Sequence, residues 1–157
     1  MLEINIPGWC SLQLTQLVLD VNGTLALDGA LLPGVADRIG ALRAGLEIHL
    51  ISANTYGRLD AVAADLGVRA VRLEPGRAEA EQKAAFVRAL GADGVVAIGN
   101  GANDVAMLEA AALGIAVLGH EGLAPAALGA ADVVAASIEA ALELLMQPRR
   151  LIATLRR

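Results

Sequence analysis

The sequence predicts an α/β domain in which a doubly wound parallel sheet carries helices on both faces. Short β-branched runs alternate with longer stretches whose apolar residues recur at helical spacing. The runs are apolar throughout, which is typical of strands buried on both faces of a parallel sheet. Glycine follows the helical stretches, where it ends a helix by accepting a left-handed backbone. The alternation continues through most of the chain, so we expect one domain over residues 1–157.

The alternation predicts strands and helices in a definite order. The strands are expected at residues 17–20, 47–52, 70–73, 95–99, 115–118 and 132–135. The helices are expected at residues 35–44, 57–66, 77–90 and 103–112, and a C-terminal helix is expected at 137–157. Each strand except the last leads into a helical or polar connection, as parallel strands require.

Two segments lie outside this alternation. Residues 1–14 are predicted to form an extra strand or hairpin at the start of the chain. Residues 25–32 carry Asp28-Gly29 between apolar flanks, a pair typical of a two-residue hairpin turn. This second hairpin follows Asp20 closely, so we expect it to act as a flap over a site there.

Composition and charge exclude several classes of protein. The net charge of −5 argues against a nucleic-acid-binding protein, which would present a basic face. Cys10 is the only cysteine, so no intrachain disulfide is possible. The apolar runs are too short to span a bilayer and the start resembles no signal peptide, so we expect a cytoplasmic protein without a membrane contact. Hydrophobic residues make up 56% of the chain, which predicts a homo-oligomer, either a dimer or a tetramer.

Polar residues follow three predicted strands at their carboxyl ends, where sheets of this class bind ligands. They are Asp20, Asn22 and Thr24 after the first strand, Ser52, Asn54 and Thr55 after the second, and Asn100, Asn103 and Asp104 after the fourth. Each alone has an ordinary explanation, because Asp and Asn form turns and Ser caps helices. Their placement at one edge of one sheet is what indicates a functional site.

Lys83 adds a cation to this set. It is the only lysine, against eleven arginines, so arginine serves wherever a generic cation suffices. A solitary lysine then indicates a position that needs a compact ammonium, such as a contact to phosphate. The alternative is a single surface lysine without a role, and this observation alone does not separate the two.

In their order along the chain, these residues resemble the four motifs of the haloacid dehalogenase superfamily. The motifs are DVNGTL, the apolar strand ending at Ser52, Lys83, and GNGANDVAMLEAA. The resemblance covers roughly residues 15–135, and the last motif is most similar to soluble P-type-ATPase-like and phosphoserine-phosphatase-like members. It implies a phosphohydrolase or phosphotransferase that uses Mg2+ and acts on a small phosphorylated substrate.

The resemblance also implies a role for each residue. Asp20 would be the nucleophile that forms an aspartyl-phosphate, with Asn22 at the position of the acid/base and Lys83 neutralising charge. The implied phosphate contacts come from Gly23, Thr24, Ser52, Ala53, Asn54 and Lys83. The implied Mg2+ ligands are Asp20, the backbone carbonyl of Asn22, Asn100 and Asp104, with Asn103 behind them. Phosphoryl transfer needs little beyond positioning and charge neutralisation, so this set of groups is chemically sufficient.

Two acids of the family pattern are amides in this chain. Asn22 cannot protonate a leaving group or activate water near neutral pH, a loss that typically costs about 10²–10⁴-fold in rate. Asn100 keeps a carbonyl oxygen but lacks negative charge, so Mg2+ would bind more weakly. Two interpretations follow: a slow enzyme that still forms an aspartyl-phosphate on Asp20, or a catalytically degenerate module that binds phosphate or metal.

A dinucleotide-binding module and an inserted cap domain are both disfavoured. GNGAND carries only the first two glycines of the dinucleotide motif, and Asp104 would place negative charge where a pyrophosphate sits. The intervals around Ser52 are already filled by predicted core elements, which leaves no room for a cap. A capless member would close its site with a large substrate or a neighbouring subunit. His120, after a predicted strand, would either touch substrate or be an ordinary loop residue.

Overall fold

The computed structural model describes residues 1–54 and 57–157. Its strands are β1 Leu2–Ile6, β2 Cys10–Leu14, β3 Gln16–Asp20, β4 Ala26–Leu27, β5 Ala30–Leu31, β6 Glu47–Ser52, β7 Arg69–Arg72, β8 Val95–Gly99, β9 Leu113–Val117 and β10 Val133–Ala135. Its α-helices are α1 Val35–Leu42, α2 Leu59–Leu66, α3 Glu79–Ala89, α4 Val105–Ala110, α5 Pro125–Ala130, α6 Ile138–Met146 and α7 Pro148–Leu155. Short 3₁₀ turns cover Ala92–Gly94 and Ala102–Asp104.

Six strands form one parallel sheet in the order β10-β9-β8-β3-β6-β7. The chain starts the sheet at β3 in its centre, adds β6 and β7 on one side, and then returns to add β8, β9 and β10 on the other. The point where the strand order reverses lies between β3 and β8, so the carboxyl ends of these two strands border the expected ligand crevice. The predicted fold class is confirmed.

The central strand shows why both faces of the sheet are covered. Side chains alternate along a strand, so Leu17 and Leu19 pack into one core with α1, α2, α6 and the β1–β2 hairpin. Val18 packs into the opposite core with α3, α4 and α5. Every residue from Leu17 to Asp20 is buried, and burial of both faces explains the uninterrupted apolar run that precedes Asp20.

The two segments outside the alternation are antiparallel hairpins. Strands β1 and β2 pair from Leu2 opposite Leu14 to Ile6 opposite Cys10. Strands β4 and β5 flank Asp28-Gly29, whose φ angles of 50° and 78° are the left-handed pair that a tight hairpin turn requires. The flap predicted over residues 25–32 is therefore present as a hairpin.

The C-terminal region differs from the prediction of one helix over 137–157. It consists of α6 and α7, which meet at Gln147 and Pro148. Proline cannot continue a helix, because it lacks an N–H and its ring collides with the preceding turn, but it fits the first helical position. Sequence reasoning also missed α5 and extended the helix after Asp104 to residue 112, where the structure has α4 ending at Ala110.

Candidate active site

Lys83 lies at the centre of the polar residues that converge at the carboxyl edge of the sheet. Its Nζ is 2.6 Å from Asp20 Oδ1 and 2.6 Å from Asp104 Oδ1. The lysine is 1% exposed and Asp104 is 0% exposed. Helix α3 delivers Lys83 because residues 83, 84 and 87 form its buried face. Three motifs distant in sequence therefore meet in one buried cluster of two carboxylates and one ammonium.

Burial and neighbouring charges shift the pKa values of two members of this cluster, Asp20 and Lys83. Burial raises the pKa of Asp20 to about 6, with Lys83 opposing that rise and Asp104 adding to it. Burial acts to lower the pKa of Lys83, but attraction by Asp20 and Asp104 outweighs it and leaves that pKa above its usual value. Lys83 is thus a cation beside Asp20 near neutral pH.

The loop after β8 is built around Asp104. Its Oδ2 accepts hydrogen bonds from the backbone N–H of Asn100 at 3.0 Å and of Gly101 at 2.9 Å. A Cβ at Gly99 would lie 2.5 Å from Asp104 Cγ, so only glycine leaves room for the carboxylate there. Both oxygens of Asp104 are engaged inside the protein. This geometry makes Asp104 a support for Lys83 and the loop and disfavours its implied role as a direct metal ligand.

Thr24 joins the loops after β3 and β8. Its Oγ1 lies 3.2 Å from Asp20 Oδ2 and 3.0 Å from Asn100 Oδ1. The hydroxyl has one proton and can donate to only one of these oxygens at a time, so two acceptor oxygens converge on it. Thr24 is 1% exposed and does not line the cavity in front of Asp20. It orients Asp20 and Asn100, and the implied direct phosphate contact by Thr24 is not supported.

The residues present fit a hard divalent cation. Asn100 Nδ2 donates to Gly122 O at 3.2 Å, which fixes the amide so that its oxygen faces the Thr24 hydroxyl. Oxygen donors of this kind suit Mg2+, which also retains several waters. Across residues 1–54 and 57–157, no group of three or more His, Cys, Asp or Glu side chains forms an all-protein metal cage.

Ser52 faces the same cavity from the end of β6. Its Oγ accepts hydrogen bonds from Asn22 Nδ2 at 3.4 Å and from the backbone N–H of Asn54 at 3.0 Å. With both acceptor positions used, the Ser52 hydroxyl proton is directed to a further acceptor. Asn54 has a φ of 59° and its side chain accepts the N–H of Leu59 at the start of α2. The side-chain oxygen of Asn54 is therefore engaged with the first residue of α2.

Gly23 and Ala53, two further predicted phosphate contacts, differ in whether they can reach a ligand. The backbone N–H of Gly23 is used in a bond to Ala26 O at 2.9 Å, so it is not available to a ligand in this conformation. Ala53 is exposed and lies on the cavity wall. Thr55 lies outside the described residues.

A cavity of about 240 Å³ opens in front of these groups. Its walls are formed by Asp20, Asn22, Ser52, Ala53, Glu79, Lys83, Asn100, Gly101, Asn103 and Glu121. Asn103 lies on the rim, where its Nδ2 donates to Glu79 Oε2 at 2.7 Å. His120 lines a neighbouring cavity of about 340 Å³ beside the flap, together with Thr24 and Leu32. The predicted substrate contact by His120 would therefore come from that adjacent space.

Sequence reasoning missed Glu79 and Glu121 on the cavity wall. Glu79 lies four residues before Lys83 in α3, and that spacing places the two on one helix face, a signal present in the sequence. Glu121 belongs to the turn after β9, and only the flanking Gly119 and Gly122 marked that turn.

The chain belongs to the haloacid dehalogenase-like hydrolase family, whose sequence profile matches residues 1–112. An uncharacterized protein of Methanocaldococcus jannaschii is 44% identical over 39 residues, which are 25% of this chain and 89% of that protein. Between β3 and α3 the described residues form the flap hairpin, α1, β6, α2 and β7, and they contain no inserted cap domain.

Solved phosphatases share the fold at low identity. The 3-deoxy-D-manno-octulosonate 8-phosphate phosphatase of Moraxella catarrhalis, determined with magnesium, phosphate and KDO, superposes with a TM-score of 0.68 at 18% identity, over 92% of this chain and 94% of that chain. The cobalt-bound deoxy-D-mannose-octulosonate 8-phosphate phosphatase of Haemophilus influenzae gives 0.66 at 18%, over 88% and 90%. A phosphoserine phosphatase in its apo form superposes with a TM-score of 0.64 at 16% identity, over 85% of this chain and 98% of that chain.

No helix among the described residues is long and apolar enough to cross a membrane.

Proposed function

We propose that the chain is a Mg2+-dependent phosphohydrolase or phosphotransferase that acts through an aspartyl-phosphate on Asp20. The observation that supports this most strongly is the placement of Lys83 Nζ 2.6 Å from Asp20 Oδ1 at the base of a polar cavity. A buried carboxylate next to a fixed cation is the arrangement that a phosphoryl-accepting nucleophile needs.

The two oxygens of Asp20 have different surroundings, which suits this role. Oδ1 faces Lys83, and Oδ2 faces the Thr24 hydroxyl that also meets Asn100 Oδ1. The proposed metal ligands are Asp20, the backbone carbonyl of Asn22 and the Asn100 amide oxygen. When bound, Mg2+ would neutralise negative charge shared between the carboxylate and the phosphate.

The remaining residues bind and orient the phosphate. The Ser52 hydroxyl donates a hydrogen bond to the phosphate, and Lys83 neutralises phosphate charge. The main chain of Ala53 lies on the same cavity wall and contacts the phosphate. A carboxylate oxygen of Asp20 attacks phosphorus and forms a bond to it while the bond between phosphorus and the ester oxygen breaks. The departing ester oxygen must take a proton. Asn22 has no acidic proton to give, so turnover is slow for ordinary monoesters and faster for substrates with good leaving groups. The cavity accommodates a small phosphorylated substrate, and a second copy of the chain would close it.

The assay is hydrolysis of 4-nitrophenyl phosphate and acetyl phosphate, with and without Mg2+. We expect slow hydrolysis that requires Mg2+ and is abolished in Asp20→Asn, because an amide cannot accept the phosphoryl group. A rate unchanged in that variant would exclude Asp20 as the nucleophile. Asp93→Asn, on a turn away from the cavity, serves as the matched control.

A second function, a catalytically degenerate module that binds phosphate or metal, is favoured by the amides at Asn22 and Asn100. Such a module would bind Mg2+ or phosphate in calorimetry but would show no hydrolysis and no phosphorylated Asp20. Calorimetry and the hydrolysis assay on the same native protein therefore distinguish the two functions.

A further inference from the structure

Glu121 presents a carboxylate to the reaction cavity next to the loop that carries Asn22. Glu121 and Asn22 line the same cavity as Asp20. A Cβ on Gly23, the residue directly after Asn22, would lie 2.5 Å from Glu121 Oε2. We infer that Glu121 is a further catalytic residue, the proton acceptor for the water that hydrolyses phosphorylated Asp20. This inference rests on the proposed function.

The turn that carries Glu121 is fixed against the site by three contacts. A Cβ on Gly119 would lie 2.6 Å from Gly23 O, so the absence of a side chain lets the two loops touch. Asn100 Nδ2 donates to Gly122 O at 3.2 Å, and the N–H of Ala124 donates to Asn100 O at 2.9 Å. The turn closes on itself through the N–H of Gly122 and Gly119 O at 3.0 Å. The backbone of the turn is thus fixed before any substrate arrives, and it carries the exposed Glu121 side chain on the cavity wall.

The other carboxylate that sequence reasoning missed is already engaged. Glu79 Oε2 accepts a hydrogen bond from Asn103 Nδ2 at 2.7 Å. Among the described residues, Glu121 makes no side-chain hydrogen bond and no ion pair. Asp20 and Asp104 are committed to Lys83. Glu121 is therefore the carboxylate on this cavity wall that has no protein partner among the described residues and can accept a proton from water.

Hydrolysis of phosphorylated Asp20 exchanges one bond to phosphorus for another. The water oxygen forms a bond to phosphorus while the bond between phosphorus and the Asp20 oxygen breaks. One water proton passes to a Glu121 carboxylate oxygen, and the products are inorganic phosphate, the Asp20 carboxylate and protonated Glu121, which returns its proton to solvent. Transfer of the phosphoryl group from substrate to Asp20 still lacks a proton donor for the leaving group. That transfer therefore stays slow for substrates with poor leaving groups.

The test measures the two half-reactions separately. The full chain is phosphorylated with acetyl phosphate and Mg2+, the reagent is removed, and loss of the phosphoryl group is followed by intact mass. We expect Glu121→Gln to be phosphorylated at the native rate and to lose the group about 10²-fold or more slowly, the usual effect of losing a general base. Adding Asn22→Asp to that variant should restore most of the lost rate, because a carboxylate returns to the same cavity.

Glu109→Gln is the matched control, since Glu109 is an exposed carboxylate of α4 that does not line the cavity in front of Asp20. It should lose the phosphoryl group at the native rate. Native phosphorylation of Glu121→Gln followed by native decay would overturn this inference and leave the proposed function standing. Absence of phosphorylation in the native chain would overturn both.

Discussion

Replacing Lys83 by methionine removes the cation that holds Asp20 and Asp104 together. Both contacts are 2.6 Å long and all three side chains are buried. The methionine has a similar shape, so the change removes charge rather than volume. Two carboxylates then face each other in the interior without a counter-charge.

The structure gives the size and the pH dependence of the effect. Removing one member of a buried ion pair typically destabilises by about 3–5 kcal/mol, because the partner stays buried and charged. For a domain of this length, that corresponds to a fall in melting temperature of roughly 6–20 °C. Lys83 opposes the rise in the pKa of Asp20, so without Lys83 that pKa rises above about 6. A carboxylate with a raised pKa regains stability as the pH falls through it. The destabilisation should therefore be large at pH 8 and smaller at pH 5.

The assay is urea unfolding of the native chain and of Lys83→Met at both pH values without divalent cations. Arg77→Met is the control, because the Arg77–Glu74 pair is exposed and should matter little. The double variant Lys83→Met with Asp104→Asn should be less destabilised than the single changes added together, since it removes one unpaired carboxylate. A loss below about 1 kcal/mol at pH 8, or a loss that does not shrink at pH 5, would refute the buried charge cluster.

Three further outcomes are expected. Asn22→Asp should raise turnover of alkyl phosphates by about 10²-fold or more, because it restores a proton donor next to Asp20, and an unchanged rate would mean that this proton does not limit turnover. His49 is 2% exposed and burial lowers its pKa, so the free energy of unfolding should fall as the pH drops below about 6.5. Urea titrations from pH 7 to pH 5 measure this fall, and His49→Gln should remove it. The same fall in the variant would contradict the prediction. At micromolar concentration the chain should elute from a sizing column as a dimer or larger, in keeping with the exposure of Leu118 and Val134, and a clean monomer would count against it.

The order of strands and helices could be predicted because both faces of the sheet are buried. Burial of Leu17 to Asp20 from two sides required an uninterrupted apolar run, and that run is visible without coordinates. The boundary at Pro148 was also readable, since proline cannot continue a helix, but the apolar spacing on both sides concealed it. Helix α5 has six residues and a weak pattern, which is too short for periodicity to reveal.

The candidate site was predictable as a set of residues but not as a set of contacts. The predicted strand ends placed Asp20 and Asp104 at one edge, and the family resemblance added Lys83. Neither could show that Asp104 has both oxygens engaged inside the protein. Thr24 likewise looked like a phosphate ligand, whereas its hydroxyl lies between two side-chain oxygens. Glu121 was hidden because its position depends on how one loop packs against another, and that is a tertiary contact without a local sequence signal.

The site of phosphorylation tests most directly whether Asp20 is the nucleophile. The native chain is incubated with acetyl phosphate and Mg2+, its intact mass is recorded, and the modified residue is located by peptide mass spectrometry after reduction of the acyl phosphate with borohydride. We expect the mass of one phosphoryl group, located on Asp20 and absent in Asp20→Asn. A phosphoryl group on another residue, or none while phosphate is still released, would contradict the assignment of Asp20 as the nucleophile.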